Sequence, residues 1–161
     1  MGLHGIGKLR GGSLLGWAIA FSALPVLAQT ANYEGLTLSP GFSPQSAEVT
    51  GYTGGSTSLP AVVSARDRNN QPCLGFGDPT PDHIMELTSD FDRLTVSVDS
   101  GEDTTLAILG PNRGMVRCGD DTSSGRDASI SDRNWEAGTY RIWVGSLEAG
   151  ERYKYTLMVS E

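Results

Sequence analysis

The clearest alternation of apolar and polar positions runs from residue 82 towards the carboxyl end. His83, Met85 and Leu87 alternate with Ile84, Glu86 and Thr88. Leu94, Val96 and Val98 alternate with Thr95, Ser97 and Asp99. A period of two puts one set on each face of an extended chain, so both runs predict half-buried strands. Thr104–Leu109 follows, stopped by Gly110-Pro111-Asn112, and residues 115–118 predict a short strand before an acidic loop. Tyr140, Ile142 and Val144 alternate with Arg141, Trp143 and Gly145, and Tyr153, Tyr155, Leu157 and Val159 form a last apolar face. Upstream the pattern is weaker. Residues 29–59 are rich in Gly, Ser, Thr and Pro, with a short strand expected over 33–38 and turns at Pro40-Gly41, Pro44 and Gly54-Gly55-Ser56. Residues 61–65 are β-prone, and 66–72 form a polar loop. No stretch after residue 28 holds apolar residues at helical spacing for three turns. The pattern predicts an all-β fold, an antiparallel sandwich or barrel.

The first 28 residues follow a different logic. Lys8 and Arg10 precede an apolar run, Leu14 to Leu24, that Pro25 interrupts. Val26-Leu27-Ala28 then supplies modest or small residues at the −3 and −1 positions of a cleavage site. This is the pattern of a cleaved secretory signal. A membrane span needs about 20 apolar residues, and this run is shorter. The expected mature chain is residues 29–161, a single domain of about 133 residues, secreted or periplasmic.

Removing the signal changes the charge. The full chain has 12 basic and 19 acidic residues, a net charge of −7. Without Lys8 and Arg10 the balance is 10 against 19, a net charge of −9. Nucleic-acid affinity rests on neutralising phosphates with Lys and Arg, so a nucleic-acid partner is disfavoured, as is an anionic membrane. The only cysteines are Cys73 and Cys118. Export to an oxidising compartment predicts that they are bonded. Closing a loop of that length stabilises by about 4 kcal/mol in the chain-entropy model. Two cysteines without a neighbouring histidine make a poor zinc site.

Residues 82–159 resemble the bacterial pre-peptidase C-terminal domain. The matching segments are Asp82-His83-Ile84-Met85-Glu86-Leu87, Leu94-Thr95-Val96-Ser97-Val98, Asp103 through Pro111 with its Asn112-Arg113-Gly114 turn, Asp120-Asp121, Gly138 through Val144, and Tyr155 through Val159. The resemblance implies a jelly-roll-like sandwich that serves as an accessory module beside a peptidase. Some members bind calcium, and some bind extracellular polymers. Residues 29–81 have no counterpart in it, and no protease domain accompanies the module.

The acidic loop from Cys118 to Asp127 is the best metal candidate. Calcium takes six to eight hard oxygens, and a turn dense in carboxylates, hydroxyls and carbonyls supplies them. The expected ligands are Asp120, Asp121 and Asp127, with Asp103 approaching from the start of the preceding strand. The run opens like an EF-hand loop but has Ser131 where that loop needs its closing Glu. In calcium-binding relatives carboxylates from the preceding segment join the site, and here only Glu34 and Glu48 are on offer. The competing reading is a solvated turn whose Asp side chains cap their own backbone.

No catalytic motif stands out. His83 is the only histidine after residue 28, no Gly-x-Ser-x-Gly elbow occurs, and no phosphate-cradling glycine loop is present. No pair of carboxylates is set apart as in a glycosidase. Trp143 and Arg141, facing out from their strand, suggest a platform for a sugar or peptide, with Trp135 at its rim. Against this, residues 29–81 must pack somewhere and are candidates to cover Trp143. The reading is an exported, non-catalytic module for an extracellular polymer or partner protein, with calcium as the candidate cofactor. A peptidase-associated or other secreted hydrolytic activity and a structural envelope role are the alternatives.

Overall fold

The computed structural model describes residues 1–2, 30–112, 114–123 and 125–161. The signal-peptide reading of residues 1–28 falls outside the described residues, apart from Met1 and Gly2. The strands are β1 (Leu36–Leu38), β2 (Glu48–Tyr52), β3 (Thr57–Ser58), β4 (Phe76–Gly77), β5 (His83–Leu87), β6 (Phe91–Asp99), β7 (Thr104–Leu109), β8 (Val116–Gly119), β9 (Ser129–Trp135), β10 (Gly138–Ser146) and β11 (Lys154–Ser160). A 3-10 turn spans Pro44–Ala47, and one short helix, α1, spans Leu59–Val62.

Two sheets face each other. The smaller is antiparallel, in the order β2-β11-β6-β9. The larger is organised by β10. One edge of β10 pairs with β5, from Gly138 opposite Leu87 to Ile142 opposite His83, and with β4 at Ser146. Its other edge pairs with β7, which pairs in turn with β8. β1 adds to β5 in parallel, and β3 adds to β4. The fold is a β-sandwich, as the alternation predicts.

The period-two runs account for the main core. Met85 and Leu87 of β5, Leu94, Val96 and Val98 of β6, Ile142 and Val144 of β10, and Leu157 and Val159 of β11 meet between the sheets. Leu106 and Ile108 of β7 complete it. The opposite face of the larger sheet carries a second cluster of Leu59, Ala107 and Trp143, with Val62, Val63, Leu109 and Cys118 packed against it. The excursion between β2 and β5 supplies the cover, and the Cys73–Cys118 disulfide ties it to β8. Gly75 lies where any Cβ would collide with Thr105 of β7, and its φ of +88° is one that glycine adopts at no steric cost.

Several expectations need correction. Residues 61–65 are not a strand: Leu59–Val62 is helical, with Pro60 in its first turn, where proline is preorganised. The turn aims Leu59, Val62 and Val63 at Trp143. Trp135 is not at the rim of a platform but ends β9, and it is 0% exposed. Trp143 does face away from the main core, as its alternation requires, yet it is only 3% exposed beneath the cover. Only Arg141 of the proposed platform is exposed. The strand expected over 33–38 is shorter, because residues 32 and 33 pair with the backbone of Pro81 and Asp82 instead.

A Trp143→Ala variant should therefore lose about 3–5 kcal/mol of stability, the usual cost of deleting a buried large aromatic. Arg141→Ala should stay within about 0.5 kcal/mol of wild type. Urea unfolding midpoints for the two variants check this. A stable Trp143→Ala protein would mean that the cover does not pack on the sheet in solution.

Candidate functional site

The acidic end follows from strand register. β7 and β8 pair antiparallel with Leu106 opposite Gly119, so the residue before β7 and the two after β8 emerge at the same end. Asp103, Asp120 and Asp121 meet there, each offering a carboxylate oxygen within 4.8 Å of the others. One oxygen each of Asp103 and Asp120 is shielded from solvent and has no hydrogen-bond partner. The Asp120 carboxyl is pushed up from its usual range by burial, and further by Asp121 and Asp103. The donor set is all hard oxygen, which suits calcium or magnesium and not a thiolate-seeking metal.

Asp127 does not join this group. Its Oδ1 accepts hydrogen bonds from the Ser100 N–H at 2.9 Å, the Ser100 hydroxyl at 2.7 Å and the Gly101 N–H at 3.1 Å. It is the cap of the turn after β6, the role of Asx capping rather than of a ligand. Glu34 and Glu48 also lie outside the cluster. Thr122 and Gly125 bond to each other across a tight turn, quite unlike an EF-hand loop.

A second polar centre lies where the segment before β1 meets β5 and β11. His83 is 0% exposed. Its Nδ1 is 2.6 Å from the Glu34 carbonyl, which can only accept, so Nδ1 carries the proton. Nε2 then accepts from the Tyr155 hydroxyl at 2.8 Å. Burial lowers the His83 pKa and raises that of Tyr155, so both groups stay neutral. With both nitrogens engaged, His83 is a structural pin between the first segment and β11.

Asp82, one residue earlier, is 4% exposed. It accepts from the Val144 N–H at 2.8 Å and from Asn32 Nδ2 at 3.3 Å. Burial pushes its carboxyl from 3.8 up to about 6, against the pull of those two donors, with nearby Asp78 adding to the rise. It lines a cleft of about 290 Å³ together with Asn32, Tyr33, Tyr52, Asp78 and Arg152. No periodicity marks these residues as a group, because they come from five separated stretches of chain.

The tryptophans and Arg141 form no common site. Trp135 sits in the main core, its ring 5.3 Å from that of Tyr140 and covered by the Arg117 guanidinium at 3.9 Å. Arg117 in turn bonds Asp132 at 2.8 Å. Trp143 belongs to the second cluster on the other face of the larger sheet.

The Asp82 environment has a measurable pH signature. A carboxyl with a raised folded pKa binds its proton more tightly folded than unfolded. Stability is therefore fullest below 3.8 and falls as pH rises to about 6. The gap amounts to roughly 3 kcal/mol. Asp82→Asn keeps an acceptor for the Val144 N–H and carries no charge. Its stability, from urea midpoints, should fall less than wild type between pH 4 and about 6. Parallel profiles would show the carboxyl to be well solvated.

No family model matches this chain, and no curated protein matches it. Among solved structures it is similar to the pre-peptidase C-terminal domain of a collagenase from Bacillus anthracis, at 15% identity over 81% of this chain and 99% of that one, with a TM-score of 0.44. It is also similar to a periplasmic inhibitor of g-type lysozyme from Aeromonas hydrophila, at 15% identity over 79% of this chain and 96% of that one, with a TM-score of 0.42. The segments that resemble that family in sequence fall on β5, β6, β7, β10 and β11.

Proposed function

We propose that this chain is an exported, non-catalytic accessory module that binds a secreted protein or an extracellular polymer, with a calcium ion held at its acidic end. The observation that carries the cation is the convergence of Asp103, Asp120 and Asp121, two of them with a shielded carboxylate oxygen that no donor satisfies. Leaving such an atom unpaired costs about 1–3 kcal/mol, more for a charged group. A divalent cation removes that cost and the repulsion among the three carboxylates. Three side chains supply part of a shell of six to eight oxygens, and backbone carbonyls and water complete it. The Cys73–Cys118 disulfide is the state expected of an exported chain, and calcium is plentiful in that setting. The interior placement of His83 supports a binding role over a hydrolytic one.

Calcium should raise the melting temperature by mass action, by about 2.7 kcal/mol of stability at a hundredfold excess over Kd. Asp120→Ala combined with Asp121→Ala should abolish the rise. An unchanged melting temperature for wild type in millimolar calcium, measured against a chelator control, overturns the cation site. Export has its own measurement. The mass of the exported form should correspond to residues 29–161, and a full-length mass there overturns the cleaved-signal reading.

A further inference from the structure

The cleft beside Asp82 has an unusual balance of hydrogen-bonding capacity. Apart from Arg152 and Tyr52, its side-chain donors are committed. Asn32 directs its amide N–H groups to the Thr80 carbonyl and to Asp82, which fixes the orientation of the amide and leaves Oδ1 as a free acceptor. The Tyr33 hydroxyl donates to the Tyr52 carbonyl at 3.2 Å. The Thr53 hydroxyl donates to the Glu151 carbonyl and accepts from the Tyr153 N–H. Acceptors remain open by contrast. Asp78 gives one oxygen to the Thr80 N–H. Asp82 takes two donors where a carboxylate has about four lone-pair sites. Among the described residues no Lys, Arg or His forms an ion pair with either carboxylate. Arg152 is exposed and rests over the Tyr52 ring at 4.6 Å, a cation–π contact.

A lining of open acceptors, two carboxylates and a Tyr33 ring matches a ligand that only donates and carries positive charge. Ammonium and guanidinium groups are the side chains of that kind. We propose that this cleft receives a lysine or arginine side chain of a protein partner, with Asp82 and Asp78 as its counter-ions. This deepens the partner-binding reading and rests on it. A protein source is favoured over an amino-sugar because the net charge of −9 over residues 29–161 attracts basic protein surfaces at long range. An anionic ligand would meet Asp78 and Asp82, with Arg152 as the one charged donor in the lining. A neutral sugar, whose hydroxyls must also accept, finds only Arg152 and Tyr52 as side-chain donors.

The pH dependence follows from the neighbours of Asp82. Those are Asn32 and Tyr33 from the first segment, Asp78 from the loop after β4, Tyr155 from β11, the Val144 N–H of β10, His83 next in the chain, and Arg152 at the rim. His83 and Tyr155 are neutral, so the charge that titrates on the ligand-facing side is that of Asp82, near 6 in the empty cleft. A cation binds the ionised form, so affinity must fall on acidification through that value.

The test uses the folded protein in amide-resolved NMR titrations. The probes are N-acetyl-lysine N-methylamide and N-acetyl-arginine amide, with the citrulline analogue as neutral isostere of arginine. Both cationic probes should shift the amides of Asn32, Gly54 and Val144 at about pH 7.5 and bind roughly tenfold more weakly at about pH 5. Asp82→Asn should lose the binding. Asp78→Asn, which keeps its turn-forming oxygen, should weaken it several-fold and covers the case in which the Asp82 variant does not fold. Equal binding of the citrulline probe, pH-independent binding, or no shift in the cleft overturns the assignment. Methyl glucosaminide carries the same ammonium on a sugar, and tighter binding of it than of the lysine probe overturns the protein source. These probes read the cleft alone, so a null here leaves a positive calcium result standing, and the reverse also holds.

Discussion

The larger sheet is apolar on both of its faces, and that constraint shapes the rest of the molecule. Antiparallel sheets commonly leave one face to water and then alternate cleanly. Here Leu106 and Ile108 of β7 face the main core while Ala107 and Leu109 face away from it, and Trp143 lies on the same outer side of β10. An uncovered patch of that size would be an aggregation or docking surface. Residues 57–77 close it with Leu59, Val62 and Val63, and the disulfide holds the cover at β8. Two functional features follow from the same excursion. It returns through β4 against β10 and delivers Asp78 and Asp82 to one wall of the cleft. At its other anchor, Cys118 fixes the end of β8 from which Asp120 and Asp121 emerge.

The two anionic places differ in how the fold treats them. At the acidic end three carboxylates crowd one another, and two of their oxygens lack any donor. In the cleft a single buried carboxylate is held by one backbone and one side-chain N–H. Both keep a charge at a cost, since burial disfavours the ionised form in each. The first arrangement suits a bare divalent ion with many oxygens around it. The second suits an organic cation, which brings directed N–H donors and an apolar stem to lie along Tyr33.

How much of this was legible in the sequence depended on whether burial left a period. β5, β6 and β11 bury one face each, so their alternation was visible, whereas β10 is buried on both faces from Ile142 onward and showed its period only through Tyr140, Ile142 and Val144. β9 buries only Ile130 and Trp135 and otherwise reads as polar loop, because it lies at the edge of its sheet. β2 was missed for a related reason: Gly51 sits at a buried position, where its missing side chain makes room for the Tyr155 hydroxyl and the Tyr33 ring. Residues 61–65 carry valines that favour strands, but tertiary contact with Trp143 and the Pro60 turn decided otherwise. The orientation of Trp143 was legible from β10 alone. Its burial was not, since it depends on chain 70 to 85 residues earlier. Asp103, Asp120 and Asp121 were legible as a group because hairpin register brings them together. Asp127 was not separable from them by composition. The cleft left no trace, because no two of its walls share a local pattern.

The groups in this molecule with the capacity for chemistry are mostly committed to structure. His83 has both nitrogens bonded, Arg117 is stacked on Trp135 and paired with Asp132, and the Tyr155 hydroxyl serves His83. Breaking such buried polar contacts from one side leaves an unpaired group, which costs more than the contact itself contributes. They are therefore poor candidates for groups that must change partners during a reaction. Among the described residues, uncommitted acceptor oxygen gathers at two places: Asp103, Asp120 and Asp121 at one, Asp78, Asp82 and Asn32 at the other. Both places present carboxylate acceptors on a chain of strongly negative charge, an arrangement whose field favours cations over anions.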